Sequence, residues 1–273
     1  MLVYKFRACN QRTWELLLNR VLFFATPDDL NDPLDSSIDI NGEYERAKEV
    51  IRAKDTSDDG RLSFLLHMLN QRKFVRKETE EAIHLNEGVH RFVRSRGILS
   101  LSMTPHDALL WSHYANGHRG LCLEFDSEFL KPEGVFISDK VVYRDKPPYV
   151  ALFVELVDEL GKLVRPWEEG HHHSDEEADQ FYSRQLGLLM RANLLVKSTK
   201  WRYEEEFRII SANTGFHPFP AAALRRVILG CETSAADIHT LGNILSHPDY
   251  SHVGVARVQN VPGTFEFSVI DEA

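Results

Sequence analysis

The run Trp201-Arg202-Tyr203-Glu204-Glu205-Glu206-Phe207-Arg208-Ile209-Ile210 sets three adjacent carboxylates between an aromatic pair and a β-prone segment. Phe207, Ile209 and Ile210 favour a buried strand, whereas three neighbouring negative charges cost little only while they stay wet. On an extended chain side chains alternate faces, so Glu204 and Glu206 are expected on one face and Glu205 on the other. Two carboxylates side by side at a strand start could hold a cationic group, a sugar hydroxyl or a metal, or could share a proton. The segment also reads as a solvated strand edge, with Arg208 two residues further along the face of Glu206.

A second concentration of chemistry runs from Leu109 to Gly120, with Trp111, His113, Tyr114, Asn116, His118 and Arg119 just before an apolar run. If Asp107 to Tyr114 is helical, Leu110, Trp111 and Tyr114 share a face, and Trp111 reads as core while His113 points elsewhere. Polar groups gathered at a helix-to-strand turn equally suit a binding site. Asn31-Asp32-Pro33-Leu34-Asp35 reads as a turn, because Asn and Asp bond back to their own backbone. Ser100-Leu101-Ser102 places two hydroxyls on one strand face. The consecutive His171-His172-His173 cannot bring three rings to one metal in regular structure. In a loop beside Glu168, Glu169, Asp175 and Glu176 they could bind zinc weakly.

The elements that must position these groups are legible from pattern. Val3–Arg7, Val21–Ala25, Ile98–Met103, Gly120–Phe125 and Val135–Tyr143 read as strands, as do the Glu204 segment, Val253–Val258 and Phe265–Ile270. Thr13 is a candidate cap for a helix running to Asn19, and a helix is expected over Ser234–Leu245. Residues from about 43 to 95 show helical spacing, broken near Asp58-Asp59-Gly60, and read as a helical insertion within one domain. Pro147-Pro148 marks a break, Tyr149–Val164 has helical spacing, and Ser174 with Glu177 forms a capping-box pattern for a helix running to about Val196. Strands at both ends, helices in blocks and little βαβ alternation predict an α+β fold with a mainly antiparallel sheet over residues 1–273. No GxGxxG or GxxxxGK[ST] occurs, so neither a dinucleotide fingerprint nor a P-loop is supported.

The chain has 273 residues, of which 43% are hydrophobic and 27% charged, which excludes a wholly disordered or collagen-like chain. A net charge of -9 offers no global field to recruit nucleic acid, so any such contact must be a local patch. Cys9, Cys122 and Cys231 are odd in number and far apart, which suits a reducing, cytoplasmic setting. No secretory signal is read at the N-terminus, and no run approaches the roughly eighteen apolar residues of a membrane helix. No membrane partner is expected.

Several segments in order resemble the family called domain of unknown function 2971. They are Val3-Tyr4-Lys5-Phe6-Arg7, Phe24-Ala25-Thr26-Pro27 with Leu30-Asn31-Asp32-Pro33, and Leu99-Ser100-Leu101-Ser102. Leu110-Trp111-Ser112-His113-Tyr114 with Gly120-Leu121-Cys122-Leu123-Glu124-Phe125 follows, and then Lys200 to Arg208. That likeness implies no activity. A second likeness is to the ADP-ribosyltransferase superfamily, which uses an Arg or His on an early strand, a Ser-x-Ser-type strand and a late Glu, often as Glu-x-Glu. Arg7, Ser100-Leu101-Ser102 and Glu204-Glu205-Glu206 fall in that order.

This second resemblance implies a split sheet and an NAD-dependent ADP-ribosyltransferase or NAD glycohydrolase-like enzyme of a toxin or defence kind. NAD is then the substrate, no metal is expected, and the acceptor is a protein or a nucleic acid. By the same resemblance Glu206, Glu204 and Ser100 are catalytic, with Arg7 on the pyrophosphate. Tyr4, Ser102, Trp111, His113 and Tyr114 join Arg7 in the binding set, with Phe6 as a further stacking residue. The first motif departs from the many relatives that use His there. Two other classes remain open. In one, Asp28, Asp32 or Asp35 joins Glu204 and Glu206 around Mg²⁺, with Lys200 on phosphate, as a nuclease or phosphodiesterase. In the other, the carboxylates grip a cationic partner without catalysis.

Overall fold

Residues on both faces of Leu2–Arg7 are buried, Val3 on one side and Tyr4 and Phe6 on the other, and a strand of that kind belongs in the middle of a covered sheet. In the computed structural model it is strand β1. Residues 1–36, 40–53, 73–75, 82–84, 91–146, 187 and 190–272 are described. The further strands, in chain order, are β2 (Val21–Phe24), β3 (Lys73–Val75), β4 (Ala82–His84), β5 (Gly97–Ser102), β6 (Leu121–Asp126) and β7 (Val135–Lys140). They continue with β8 (Val142–Arg144), β9 (Val196–Ser198), β10 (Glu206–Ser211), β11 (Gly215–Pro218), β12 (Leu224–Leu229), β13 (Gly254–Asn260) and β14 (Phe267–Asp271). The helices are α1 (Gln11–Asn19), α2 (Ile40–Ala53), α3 (Ala108–Tyr114) and α4 (Ala235–Leu245).

Contacts divide the chain into two compact units. The first comprises Met1–Asn31, Ser95–Tyr143 and Thr199–Ala273. It holds an eight-stranded sheet in the order β14-β13-β12-β6-β1-β5-β10-β7. Every pairing is antiparallel except β12 with β13. The expected α+β class with a mainly antiparallel sheet is therefore the observed one. A parallel pair needs a crossover, and α4 supplies it, with Ser234 as N-cap accepting from the Asp237 amide.

Each face of this sheet carries a core. Val3, Leu99, Leu101, Leu121, Leu123, Phe125, Phe207, Ile209 and Val227 meet Leu16 and Leu17 of α1 and Leu241 and Ile244 of α4. On the opposite face Tyr4, Phe6, Cys122, Ile228, Ala256 and Val258 pack under Leu110 and Trp111 of α3. Trp111 is fully buried, sets its ring edge-on to Phe6 at 5.1 Å, and donates its indole N–H to the Pro105 carbonyl at 2.7 Å. It takes the core role that helical spacing allowed. Trp111→Ala should therefore lower stability by roughly 3–5 kcal/mol. Urea denaturation checks this, and a loss under 1 kcal/mol would contradict the packing.

Some boundaries differ from the sequence reading for local reasons. The cap of α1 is Asn10, whose side chain accepts from the Thr13 amide, while Thr13 turns inward and donates its hydroxyl to the Ala8 carbonyl. The strand of the acidic run begins at Glu206, because Thr199–Glu204 forms a 3-10 helix and Glu205 takes a left-handed conformation with φ 41°. Strand β11, paired with β2, went unread because Gly215 and Pro218 give a turn signal. As an outer strand it tolerates the missing proline N–H.

The second unit comprises Asp32–Arg94 and Arg144–Ser198. It contains α2, with Ala47 and Ile51 buried, and a helical turn over residues 91–94. Within the 43–95 segment read as helical, β3 and β4 pair as an antiparallel hairpin. Residues 190–194 are helical and Val196 opens β9, so this helix ends short of Val196. Asp35 and Lys197, both buried, form an ion pair at 3.6 Å inside this unit. The Asp58-Asp59-Gly60 break, Pro147-Pro148, Tyr149–Val164, the Ser174–Glu177 pattern and His171–His173 lie outside the described residues.

Candidate functional site

Strand register carries one row of polar side chains across the first unit's sheet. Arg226 on β12 faces Glu124 on β6, Glu124 faces Tyr4 on β1, Tyr4 faces Ser102 on β5, and Ser102 faces Glu206 on β10. Directly opposed residues share a face, and Tyr4 fixes that face as the one under α3. Ser100 and Arg208 oppose each other one step along the same face.

Glu206 and Glu204 are both buried, and only Glu205 is exposed. The expectation that this triplet stays wet is overturned. Specific partners replace water instead. Arg208, with 0% of its surface exposed, donates Nε–H to Glu206 Oε1 at 2.7 Å and an Nη2–H to Oε2 at 3.0 Å. Such a bidentate fork is the strong geometry for a guanidinium and a carboxylate. The Glu206 amide donates to the Tyr143 hydroxyl at 2.8 Å. Glu204 accepts from the Tyr114 hydroxyl at 2.6 Å, and that hydroxyl accepts from the Asn31 side-chain amide at 2.6 Å. Burial, then the bond to Glu204, pushes the Tyr114 phenol well above its ordinary range, so it stays a donor. Burial and the charge of Glu124 push the Tyr4 phenol up to about 12.

The fields of both carboxylates meet at Lys5, which the sequence reading passed over. Strand β1 meets β5 at the single register pair Tyr4–Ser102, and the Lys5 ammonium donates to the Ser100 carbonyl at 2.7 Å. Burial, then Arg7, lowers the Lys5 pKa from 10.5 to about 8, against the pull of Glu206 and Glu204. The unfolded chain keeps that proton to about pH 10.5 and the folded chain releases it near pH 8. Stability contributed at this position therefore rises with pH across that interval. Cys9, Cys122 and Cys231 work in the opposite sense, since burial raises all three thiols. The isolating measurement is thus a difference. The stability of the wild type minus that of Lys5→Met should grow by on the order of 2 kcal/mol between pH 7.5 and 9.5. A flat difference would show that Lys5 is well hydrated.

The other expected site residues divide. Arg7 faces Leu121 of the first core, whereas Glu206 lies in the row of Tyr4. The expected convergence of Arg7 with Ser100 and Glu206 is corrected. Strand alternation separates Val3, Lys5 and Arg7 from Tyr4 and Phe6, so Tyr4 is the β1 residue in line with Ser102 and Glu206. The Ser102 hydroxyl accepts from the Thr104 amide at 3.1 Å and donates to the Thr104 carbonyl at 3.0 Å, closing a turn. His113 is exposed, with its ring 6.4 Å from that of Tyr114 and 6.3 Å from that of Tyr203, which stands 6.1 Å from Trp201. Trp111 lies behind the row, in the core. Among the described residues no three His, Cys, Asp or Glu side chains gather in a group that could hold a metal ion. Among them also, no helix is long and apolar enough to cross a membrane.

Sequence reasoning missed Lys5, Asn31 as a site residue, Tyr143 and the Glu124–Arg226 pair. A lysine inside an otherwise apolar first strand was a usable signal for the first of these. Nothing local marks Tyr143 or the pairing of Glu124 with Arg226 across 102 positions.

Glu124 and Glu206 of the row, together with Glu204 and the α3 aromatics Trp111 and Tyr114, fall within one recognisable stretch. The model of the family described as a protein of unknown function (DUF2971) matches residues 110–209. This match supports the resemblance read from Leu110–Tyr114, Gly120–Phe125 and Lys200–Arg208. No curated protein and no solved structure matches the chain.

Proposed function

We propose that the first unit cleaves the bond between nicotinamide and ribose in NAD and passes the ADP-ribose to an acceptor or to water. One observation carries this reading. Strands β1, β5 and β10, which bear the three motif segments, are neighbours, and Tyr4, Ser102 and Glu206 stand in one row across them. Departure of nicotinamide leaves positive character on the ribose, and a fixed carboxylate beside it lowers the barrier more than it strengthens ground-state binding. Glu206 is given that role, because Arg208 fixes its orientation. Glu204, held by Tyr114, positions the acceptor or takes its proton. Ser100 and Ser102 order the strand between β1 and β10. Lys5 and Arg7 share the face opposite Tyr4, and of these two β1 cations Lys5 is the one that the fields of Glu206 and Glu204 reach. Its proposed contact is to a phosphate oxygen of the substrate.

The test is incubation of the purified chain with NAD and a mixture of protein and nucleic-acid acceptors, following nicotinamide by chromatography and acceptor mass by spectrometry. Nicotinamide release that needs the folded chain supports the reading. Intact NAD after many hours at high enzyme concentration contradicts it.

A further inference from the structure

We propose that the surface formed by Lys200, Trp201, Arg202 and Tyr203 together with His113 and Tyr114 binds a single-stranded nucleic acid and presents one of its bases to Glu204. This deepens the NAD-cleaving reading and rests on it for the transfer step alone.

The surface combines two features. The first is a chain of rings, Trp201 to Tyr203 to His113 to Tyr114, at successive centroid distances of 6.1, 6.3 and 6.4 Å. His113 is exposed, and the other three rings are half-buried, so each is anchored and each keeps an accessible part. Bases stack on such rings whatever their sequence, since every base has a π-face. The second feature is interleaved charge. Lys200 and Arg202 alternate with Trp201 and Tyr203, and both cations are exposed. Aromatic faces for bases beside cations for phosphates is the composition expected for single-strand binding, in a chain whose net charge of -9 supplies no global attraction. Exposed Glu205 is adjacent and opposes the phosphates.

The ring chain ends at the proposed reaction centre, because the Tyr114 hydroxyl donates to Glu204 at 2.6 Å. In the proposed complex a base stacked on His113 and Tyr203 reaches Glu204, the residue after Tyr203 and the acceptor of the Tyr114 hydroxyl, and Glu204 takes its proton. In the transfer, the ribose C1′–nitrogen bond of NAD breaks and nicotinamide leaves with the bonding pair. A base nitrogen forms the new bond to C1′, and the proton it loses passes to Glu204.

The test separates binding from transfer. A fluorescent twelve-nucleotide single strand, DNA or RNA, is titrated with the full chain by anisotropy in the absence of NAD. Binding should weaken with salt, with a log–log slope of roughly -0.7 for each phosphate contact, or about -1.4 for Lys200 and Arg202 together. Arg202→Glu should weaken it about tenfold and flatten that slope, His113→Ala should weaken it about fivefold, and Glu205→Gln should tighten it. The matching duplex, with its bases stacked inside, should bind several-fold more weakly. Failure to bind the single strand at low salt, or equal binding of the duplex, overturns the proposal. So does transfer of ADP-ribose to proteins but not to the oligonucleotide. Oligonucleotide binding without nicotinamide release would support the surface and sink the NAD-cleaving reading, so the two failures are distinguishable.

Discussion

Arg208→Met is expected to lower the stability of the protein by about 3–5 kcal/mol, more than an ordinary surface change by an order of magnitude. Arg208 has none of its surface exposed and forks onto both oxygens of Glu206. Removing the guanidinium takes the bidentate cationic partner from a buried carboxylate, and the poorer solvation of that charge, more than the lost attraction, dominates the effect. The double replacement Arg208→Met with Glu206→Leu should lose less than the single one, because no charge is then stranded. Chemical denaturation of the wild type, both single variants and the double variant gives the coupling directly. Additive losses, or a single-variant loss under 1 kcal/mol, would mean that water reaches the pair.

Glu206→Gln should slow NAD cleavage by a hundred- to a thousand-fold, or roughly 3–4 kcal/mol of transition-state stabilisation. Gln keeps one acceptor for Arg208 but removes the negative charge that a cationic ribose requires. Binding of NAD should change less, since the ground state carries less positive charge at the reacting carbon. The buried ion pair adds a consequence that the sequence alone did not suggest. This variant is expected to melt at a lower temperature, so rates must be compared where both proteins are folded. Glu204→Gln should act on acceptor use more than on nicotinamide departure. Glu205→Gln, at an exposed left-handed residue, should leave nicotinamide release unchanged. Equal defects at all three positions would point to a general charge effect.

The strands of the sheet were legible because each has a continuous or alternating apolar pattern with a turn at its end. Leu121–Asp126 and Gly97–Ser102 are examples. Strand alternation along β1 separates Arg7 from Tyr4, although motif order favours Arg7 for the site. What local pattern could not carry was long-range register. The row from Arg226 to Glu206 joins five strands scattered over the whole chain, and only their pairing brings the residues together. The acidic triplet left two readings open for a different reason. Charge density argued for a wet edge, but Arg208, Tyr114 and Tyr143 provide buried partners that no single segment reveals. The left-handed Glu205 further breaks the two-residue alternation expected of a strand.

The measurement that tests the central claim most directly is single-turnover release of nicotinamide from NAD, with excess wild-type protein and with Glu206→Gln at a temperature where both are folded. The account predicts release by the wild type and a rate at least about a hundredfold lower in the variant. Equal rates in the two proteins, or no release by the folded wild type, would contradict it.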